Sequence, residues 1–254
     1  MVITGVSPRS LGETLAVAIA RHAPAKLILA SRTKAKLDQV AEQIAQISPN
    51  VRPPVLVELD LSSQKATRRA AAEITGHVKD ISLLINNAGV VASERRETAD
   101  GIEQTFGVNH MGHFLLTSLL TPLLLVGAEQ SGKPGSTRVV NVTSLGYRLS
   151  PLRFHDYNFE GKPIPAEEEP SANIPSYMKP DPNAGREYYA FTAYGQSKTA
   201  NILHAVSLNE KLGNKGIRAF AVHPGCKSAV GIALWGLSTD FRIRQLSGPT
   251  SLAI

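Results

Sequence analysis

The sequence is poor in cysteine and in aromatic residues. Its 254 residues include one cysteine, Cys226, which excludes an intrachain disulfide and a thiolate metal cluster and fits a reducing compartment. Phe, Trp and Tyr make up 6% of the chain, and no basic run is interleaved with them to stack on bases. Although the net charge is +6, the composition therefore argues against a nucleic-acid binder and favours a cytosolic globular protein.

Long apolar runs are also scarce. The longest covers residues 114–126, includes Pro122 and three hydroxyl side chains, and is too short to cross a bilayer. It predicts a buried helix and no membrane span. The N-terminus lacks the basic region and apolar run of a secretory signal. With 43% hydrophobic and 19% charged residues, the chain has an ordinary globular composition, enough for one α/β domain or two small ones, and we expect residues 1–254 to form a single domain.

Short β-branched runs alternate with segments of helical period, the longest at 109–125 and 193–212. This alternation predicts an α/β fold, a doubly wound parallel sheet with helices on both faces. Residues 145–193 interrupt it with a proline-rich stretch, which predicts a long loop before the last helix. The expected strands are Val2–Ile3, Leu27–Ala30, Val55–Leu59, Leu83–Asn86, Val139–Thr143 and Arg218–Val222.

A glycine turn follows the first expected strand and leads into a helix that begins near Glu13. Gly5 and Gly12 suit a pyrophosphate site, in which backbone N–H groups at a helix N-terminus face the phosphates. A turn without a ligand is the alternative. Arg32 follows the second strand, where a site for NAD normally has an acid, so it favours a 2′-phosphate, with Arg9 as a second cation. A solvated surface arginine is the alternative there.

Tyr194 and Lys198 are four residues apart in a segment with helical period, so their side chains share one face. A lysine charge beside a phenol favours the phenolate, which allows the hydroxyl to exchange a proton with a substrate oxygen. A pair on a solvated helix face is the alternative interpretation.

These motifs together resemble the short-chain dehydrogenase/reductase family over roughly residues 1–226. The turn resembles that of a fungal branch related to retinol-dehydrogenase-like and WW-domain-oxidoreductase-like members. The ordered motifs that carry the resemblance are Thr4–Gly12, Asp60-Leu61, Asn86-Asn87-Ala88-Gly89, Asn109, Ser144, Tyr194 with Lys198, and His223-Pro224-Gly225.

The resemblance implies a Rossmann-type fold and an NADP(H)-dependent oxidoreductase, with NAD(H) less favoured. This enzyme would interconvert a carbonyl and an alcohol on an apolar small molecule. Tyr194 would be the general acid or base, Lys198 would assist it and hold the nicotinamide ribose, Ser144 would bind the substrate oxygen, and Asn109 would position a water. The implied cofactor-binding residues are Gly5, Arg9, Ser10, Leu11, Gly12, Arg32, Asp60, Leu61, Asn87, Ala88, Gly89, Tyr194, Lys198, Pro224 and Gly225.

The chain departs from the family pattern in three places. Ser10 stands where the family has its middle glycine, so we expect a different path for the phosphate loop. The loop at 145–193 is longer than in compact members and is expected to cover the substrate. Both ends look short, and a last strand is expected to be missing, so the alternative function is a non-catalytic NADP(H)-binding protein or an inactive truncated product.

Two further properties complete the expectations. His110 and His113 lack a third ligand at suitable spacing, so we expect no metal site. The oligomeric state is open, a homo-oligomer included.

Overall fold

The computed structural model describes residues 1–170 and 188–225, which form one six-stranded parallel sheet with the order β3-β2-β1-β4-β5-β6. The predicted doubly wound sheet is confirmed, and every predicted strand is present with its ends within two residues of the prediction. The order reverses between β1 and β4, the point at which such sheets bind ligands. The strands are β1 (Val2–Thr4), β2 (Ile28–Ser31), β3 (Val55–Glu58), β4 (Leu83–Asn86), β5 (Thr137–Val142) and β6 (Ile217–Val222).

Helices cover both faces of this sheet, as predicted. They are α1 (Leu11–Ala20), α2 (Lys34–Ile47), α3 (Gln64–His77), α4 (Gln104–Phe106), α5 (Gly112–Ser131) and α6 (Ala190–Leu212), with a π-helical turn at Gly107–Met111 between α4 and α5.

Each central strand supplies both cores because successive side chains point to opposite faces. In β1, Val2 belongs to the core shared with α3, α5 and α6, whereas Ile3 belongs to the core shared with α1 and α2. Both side chains are fully buried. Burial on both faces explains why the strands read as short continuous apolar runs without a polar alternation.

Helix α5 is longer than the apolar stretch from which it was expected. The helical run Gln104–Ser131 has 28 residues and contains an 18-residue window with a mean hydropathy of 1.6, so by length and composition it could cross a membrane. However, Leu116, Leu120 and Leu124 are fully buried against the sheet. These contacts are those of a core helix, as predicted for residues 114–126.

The loop before α6 is anchored to the domain by buried polar groups. The Arg153 backbone N–H donates to the buried Gln196 side chain of α6 at 3.1 Å, and the Tyr188 hydroxyl donates to the buried Glu103 carboxylate at 2.8 Å. Helix α6 begins at Ala190, three residues before the predicted end of the loop. Residues 171–187 and 226–254, with Cys226 and the expected absence of a last strand, lie outside the described residues.

Candidate active site

A cavity of about 530 Å³ lies at the carboxyl edge of the sheet, where all six described strands end. Most of the residues predicted to bind cofactor or substrate line it. They are Gly5, Ser10, Leu11, Gly12, Arg32, Leu61, Asn87, Ala88, Gly89, Ser144, Tyr194, Lys198, Pro224 and Gly225.

The glycine turn forms the floor of the cavity and has no room for side chains at its two glycines. A Cβ on Gly5, whose φ is 71°, would lie 2.5 Å from the Ala88 Cα, and one on Gly12 would lie 2.4 Å from the Gly5 carbonyl oxygen. The Thr4 hydroxyl accepts from the backbone N–H groups of Asn87 and Ala88 at 3.0 and 3.1 Å. The turn and the loop after β4 are therefore one packed unit.

The conformation of the turn explains why Ser10 can stand in the place of the middle glycine. Its φ of −103° suits any residue, and the left-handed conformation falls on Arg9, with φ 61°. The Ser10 side chain caps α1 by accepting from the Glu13 N–H at 3.2 Å, and its hydroxyl donates to the Ser7 carbonyl at 2.6 Å. The cap leaves the first backbone N–H groups of α1 beside the cavity, where they suit an anion.

Two exposed cations stand at the β2 end of the cavity. Arg32 is the predicted one, and Lys36, in the first turns of α2, is a second that we did not assign. The basic run of residues 32–36 was its signal in the sequence. None of the lining side chains in the described part of the chain is a carboxylate.

Two of the predicted cofactor residues do not line this cavity. The Arg9 backbone N–H donates to the Glu13 carboxylate, and the Asp60 carboxylate accepts from the N–H and hydroxyl of Ser62 at 3.0 and 2.6 Å. Both residues thus stabilise local turns, and their cofactor contacts stay predictions.

At the β5 end, Ser144, Tyr194 and Lys198 meet. The Lys198 Nζ lies 5.3 Å from the centre of the Tyr194 ring and donates to the Val142 carbonyl at 3.1 Å. A Cβ on Gly146 would lie 3.0 Å from the Tyr194 ring and 3.5 Å from the Ser144 hydroxyl, so both groups approach the same glycine. A phenol, a hydroxyl and an ammonium are thereby gathered at one end of the cavity.

Lys198 is 3% exposed, which is unusual for a lysine. Because burial disfavours its charged form, the pKa of Lys198 falls from its ordinary 10.5 to about 8. The amine is thus poised to change its protonation near neutral pH.

Asn109 lies just behind this group, in the π-helical turn. Its side chain accepts from the Val90 N–H at 2.7 Å and donates to the Val90 carbonyl and the Ser197 hydroxyl, each at 3.0 Å. A Cβ on Gly89 would lie 3.4 Å from Asn109 Oδ1 and 3.6 Å from Lys198 Nζ, so only a glycine separates them. The positioning of a water by Asn109 stays a prediction.

Comparison with known proteins adds to this geometry. The short chain dehydrogenase family model matches residues 1–157. The chain is 36% identical over 229 residues to the oxidoreductase fscI of Fusarium equiseti, which covers 89% of this chain and 86% of that protein. It is 35% identical over 226 residues to retinol dehydrogenase 12 of Mus musculus and spans 60% of that protein's length.

Solved structures give the same result for the fold. An uncharacterised protein from Mycobacterium paratuberculosis has a TM-score of 0.65 at 30% identity, covering 95% of this chain and 76% of that one. The Pseudomonas aeruginosa RhlG complex with NADP has a TM-score of 0.62 at 22% identity, covering 89% and 72%. The predicted single α/β fold is confirmed.

Proposed function

The chain belongs to the short chain dehydrogenase family of NAD(P)-dependent oxidoreductases, and from this premise we propose that it interconverts a carbonyl and an alcohol on an apolar small molecule with NADP(H). The observation that carries the proposal is the convergence of Ser144, Tyr194 and Lys198 at one end of a cavity whose floor is a glycine turn. The resemblance to this family found in the sequence is thereby confirmed, whereas the reaction is our inference.

The cavity fits a dinucleotide. Gly5 and Gly12 let the backbone and the N-terminus of α1 approach a pyrophosphate. Strands β2 and β5 are three places apart in the sheet, so their carboxyl ends, which carry the cations and Ser144, are separated by about 14 Å at neighbouring-strand spacings of about 4.8 Å. When bound, the cofactor would supply or accept the hydride.

The chain's own groups would handle the substrate oxygen and its proton. In the reducing direction, the Tyr194 hydroxyl donates a proton to the carbonyl oxygen while Ser144 donates a hydrogen bond to the charge that develops there. Lys198, beside the phenol ring, stabilises the phenolate that remains. In the oxidising direction the same proton returns to Tyr194.

This mechanism is tested by NADPH consumption against a panel of carbonyl compounds. Tyr194→Phe removes the proton donor, so we expect kcat to fall about 100-fold or more. Tyr157→Phe, which removes a hydroxyl from a tyrosine that does not line the cavity, is the matched control. Equal rates for wild type and Tyr194→Phe would contradict the proposed mechanism. Tight NADPH binding without turnover on any compound would favour the non-catalytic alternative.

The preference for NADP(H) rests on Arg32 and Lys36 and on the lack of a lining carboxylate in the described residues. We expect Arg32→Asp to weaken NADPH binding about 10-fold to 100-fold and to leave NADH binding nearly unchanged, which titration calorimetry measures. Lys36→Ser should act in the same direction. Lys34→Ser removes an equal charge that pairs with Asp38 outside the cavity, so it should have little effect. An unchanged NADPH to NADH ratio in Arg32→Asp refutes the 2′-phosphate argument.

A further inference from the structure

His113 joins two parts of the cofactor cavity from behind. It lies in the first turn of α5 and is 2% exposed. Its Nε2 is 2.8 Å from the Thr4 hydroxyl, and its Nδ1 is 3.0 Å from the Asn109 carbonyl oxygen. The ring therefore bridges the end of β1 and the π-helical turn.

The direction of each hydrogen bond follows from the chemistry of the partners. A carbonyl oxygen only accepts, so Nδ1 carries the proton and donates to Asn109. In a neutral imidazole Nε2 is then an acceptor, and the Thr4 hydroxyl must donate to it. Because the hydroxyl proton points to His113, the Thr4 oxygen is free to accept from the Asn87 and Ala88 N–H groups.

Both ends of this chain of hydrogen bonds reach the site. Asn87 and Ala88 line the cavity, and the Asn109 side chain holds Val90 and Ser197 close to Lys198. The π-helical turn shifts the backbone pairing around Asn109, and the imidazole supplies a donor to its carbonyl.

We propose that His113 is a positioning residue, which orients the Thr4 hydroxyl for the cofactor loop through Nε2 and holds Asn109 beside the proton-transfer group through Nδ1. This role rests on the proposed function, since it serves cofactor binding and proton transfer. The pKa of His113 is lowered to about 3, mainly by burial, which keeps the ring neutral. The hydrogen bond to the Asn109 carbonyl opposes this shift, and Lys198, His110 and His204 contribute to it.

The tautomer can be tested without any activity. We expect ¹⁵N NMR of the histidine-labelled full chain to show His113 as the neutral, Nδ1-protonated form, unchanged between about pH 5 and 8. Protonation on Nε2, or titration near the ordinary pKa of about 6.5, would overturn the proposal.

Two substitutions separate the two hydrogen bonds. Asn places an amide near the position of Nδ1, and Gln places one near Nε2. We expect His113→Asn to weaken NADPH binding about tenfold while kcat changes about twofold at most. We expect His113→Gln to lower kcat about tenfold while NADPH binding changes about twofold at most. His22→Gln, at an exposed histidine, is the control. If both variants lower the melting temperature but affect NADPH binding and kcat alike, the role of His113 is only structural and the proposal is wrong.

Thr4 provides an independent check. Thr4→Val should weaken NADPH binding by about the same factor as His113→Asn. The double variant should bind NADPH no more weakly than either single variant, because both substitutions remove the same Thr4–His113 hydrogen bond. Thr4→Ser should restore the affinity. Additive losses would contradict the coupling.

The wild type separates this inference from the proposed function. If the wild type binds no NADPH, the proposed function fails and the tautomer measurement alone decides on His113. If the wild type binds and turns over but the variants show no split, the proposed function stands and the inference fails.

Discussion

At the scale of single residues, the site combines a buried amine with a phenol that faces the cavity. The Lys198 Nζ donates to the Val142 carbonyl, and burial lowers the pKa of Lys198 to about 8. Burying an ammonium costs free energy of folding, so this residue is placed for chemistry at the expense of stability.

This cost predicts a pH-dependent effect of Lys198→Met. Between about pH 8 and 10.5 the unfolded chain holds a proton on Lys198 that the folded chain has lost, so the stability of the wild type rises with pH in this window. Relative to wild type, Lys198→Met should therefore be most favoured below pH 8, and its advantage should shrink by about 3 kcal/mol towards pH 10.5. Urea unfolding at several pH values measures the difference.

The exposed Lys65 supplies the control for that experiment, because Lys65→Met removes a lysine that already lies in water. Its effect on the free energy of unfolding should be nearly independent of pH. A constant difference between wild type and Lys198→Met over the same range contradicts the burial argument.

The residue types of the site could be predicted from the sequence, but their surroundings could not. The spacing of Tyr194 and Lys198 predicted a shared helix face, and both do line one cavity. The burial of Lys198 depends on the packing of α6 on β5, which cannot be predicted from the spacing of Tyr194 and Lys198 in the sequence. Lys36 was missed for a similar reason, because only the turn from β2 into α2 brings it to the cavity.

At the scale of elements, the two α-helices that a serine caps, α1 and α3, differ in what their N-termini face. Ser10 caps α1 beside the cavity, and Ser63 caps α3 by accepting from the Ala66 N–H at 3.2 Å without lining the cavity. A cap stabilises a helix by satisfying an orphan backbone N–H group. Only the cap of α1 should also matter for a ligand.

Ser10→Ala and Ser63→Ala therefore form a matched pair. Each should lower the free energy of unfolding by about 1 kcal/mol, since each removes one N-cap. Ser10→Ala should in addition weaken NADPH binding several-fold, because the Ser7 carbonyl and the start of α1 lose their shared partner. Calorimetric titration of both variants is the measurement. Equal affinities in the pair would mean that the Ser10 cap does not order the phosphate loop.

Elements could be predicted where the pattern is local. The β-branched runs predicted all six described strands, since a strand that is buried on both faces consists of a nearly continuous run of apolar residues. The π-helical turn at Gly107–Met111 was not predicted, because the three residues of α4 that precede it are too few to set a helical period against which an extra residue would show. Yet this turn sets the position of Asn109 and of the carbonyl that His113 contacts.

At the scale of the molecule, the cavity depends on the sheet order more than on any one element. Residues far apart in sequence, such as Gly5, Ser144 and Gly225, share it because β1 and β5 lie on either side of β4 and all strands are parallel. The resemblance to the short chain dehydrogenase family implied a Rossmann-type sheet, but no strand order was predicted from the sequence. Alternation of strands and helices alone predicts a parallel sheet without its strand order.

The cavity is lined by residues at the ends of all six described strands, so a ligand that fills it should stabilise the whole fold. At about 100 times its Kd, NADPH should raise the free energy of unfolding by about 2.7 kcal/mol, because it binds only the folded chain. For a domain of this size the melting temperature should rise by about 5 to 10 °C. In the double variant Arg32→Ser/Lys36→Ser, the shift at the same NADPH concentration should fall to that caused by NADH. A larger shift with NADH than with NADPH in the wild type would contradict the assignment of these two cations to a 2′-phosphate.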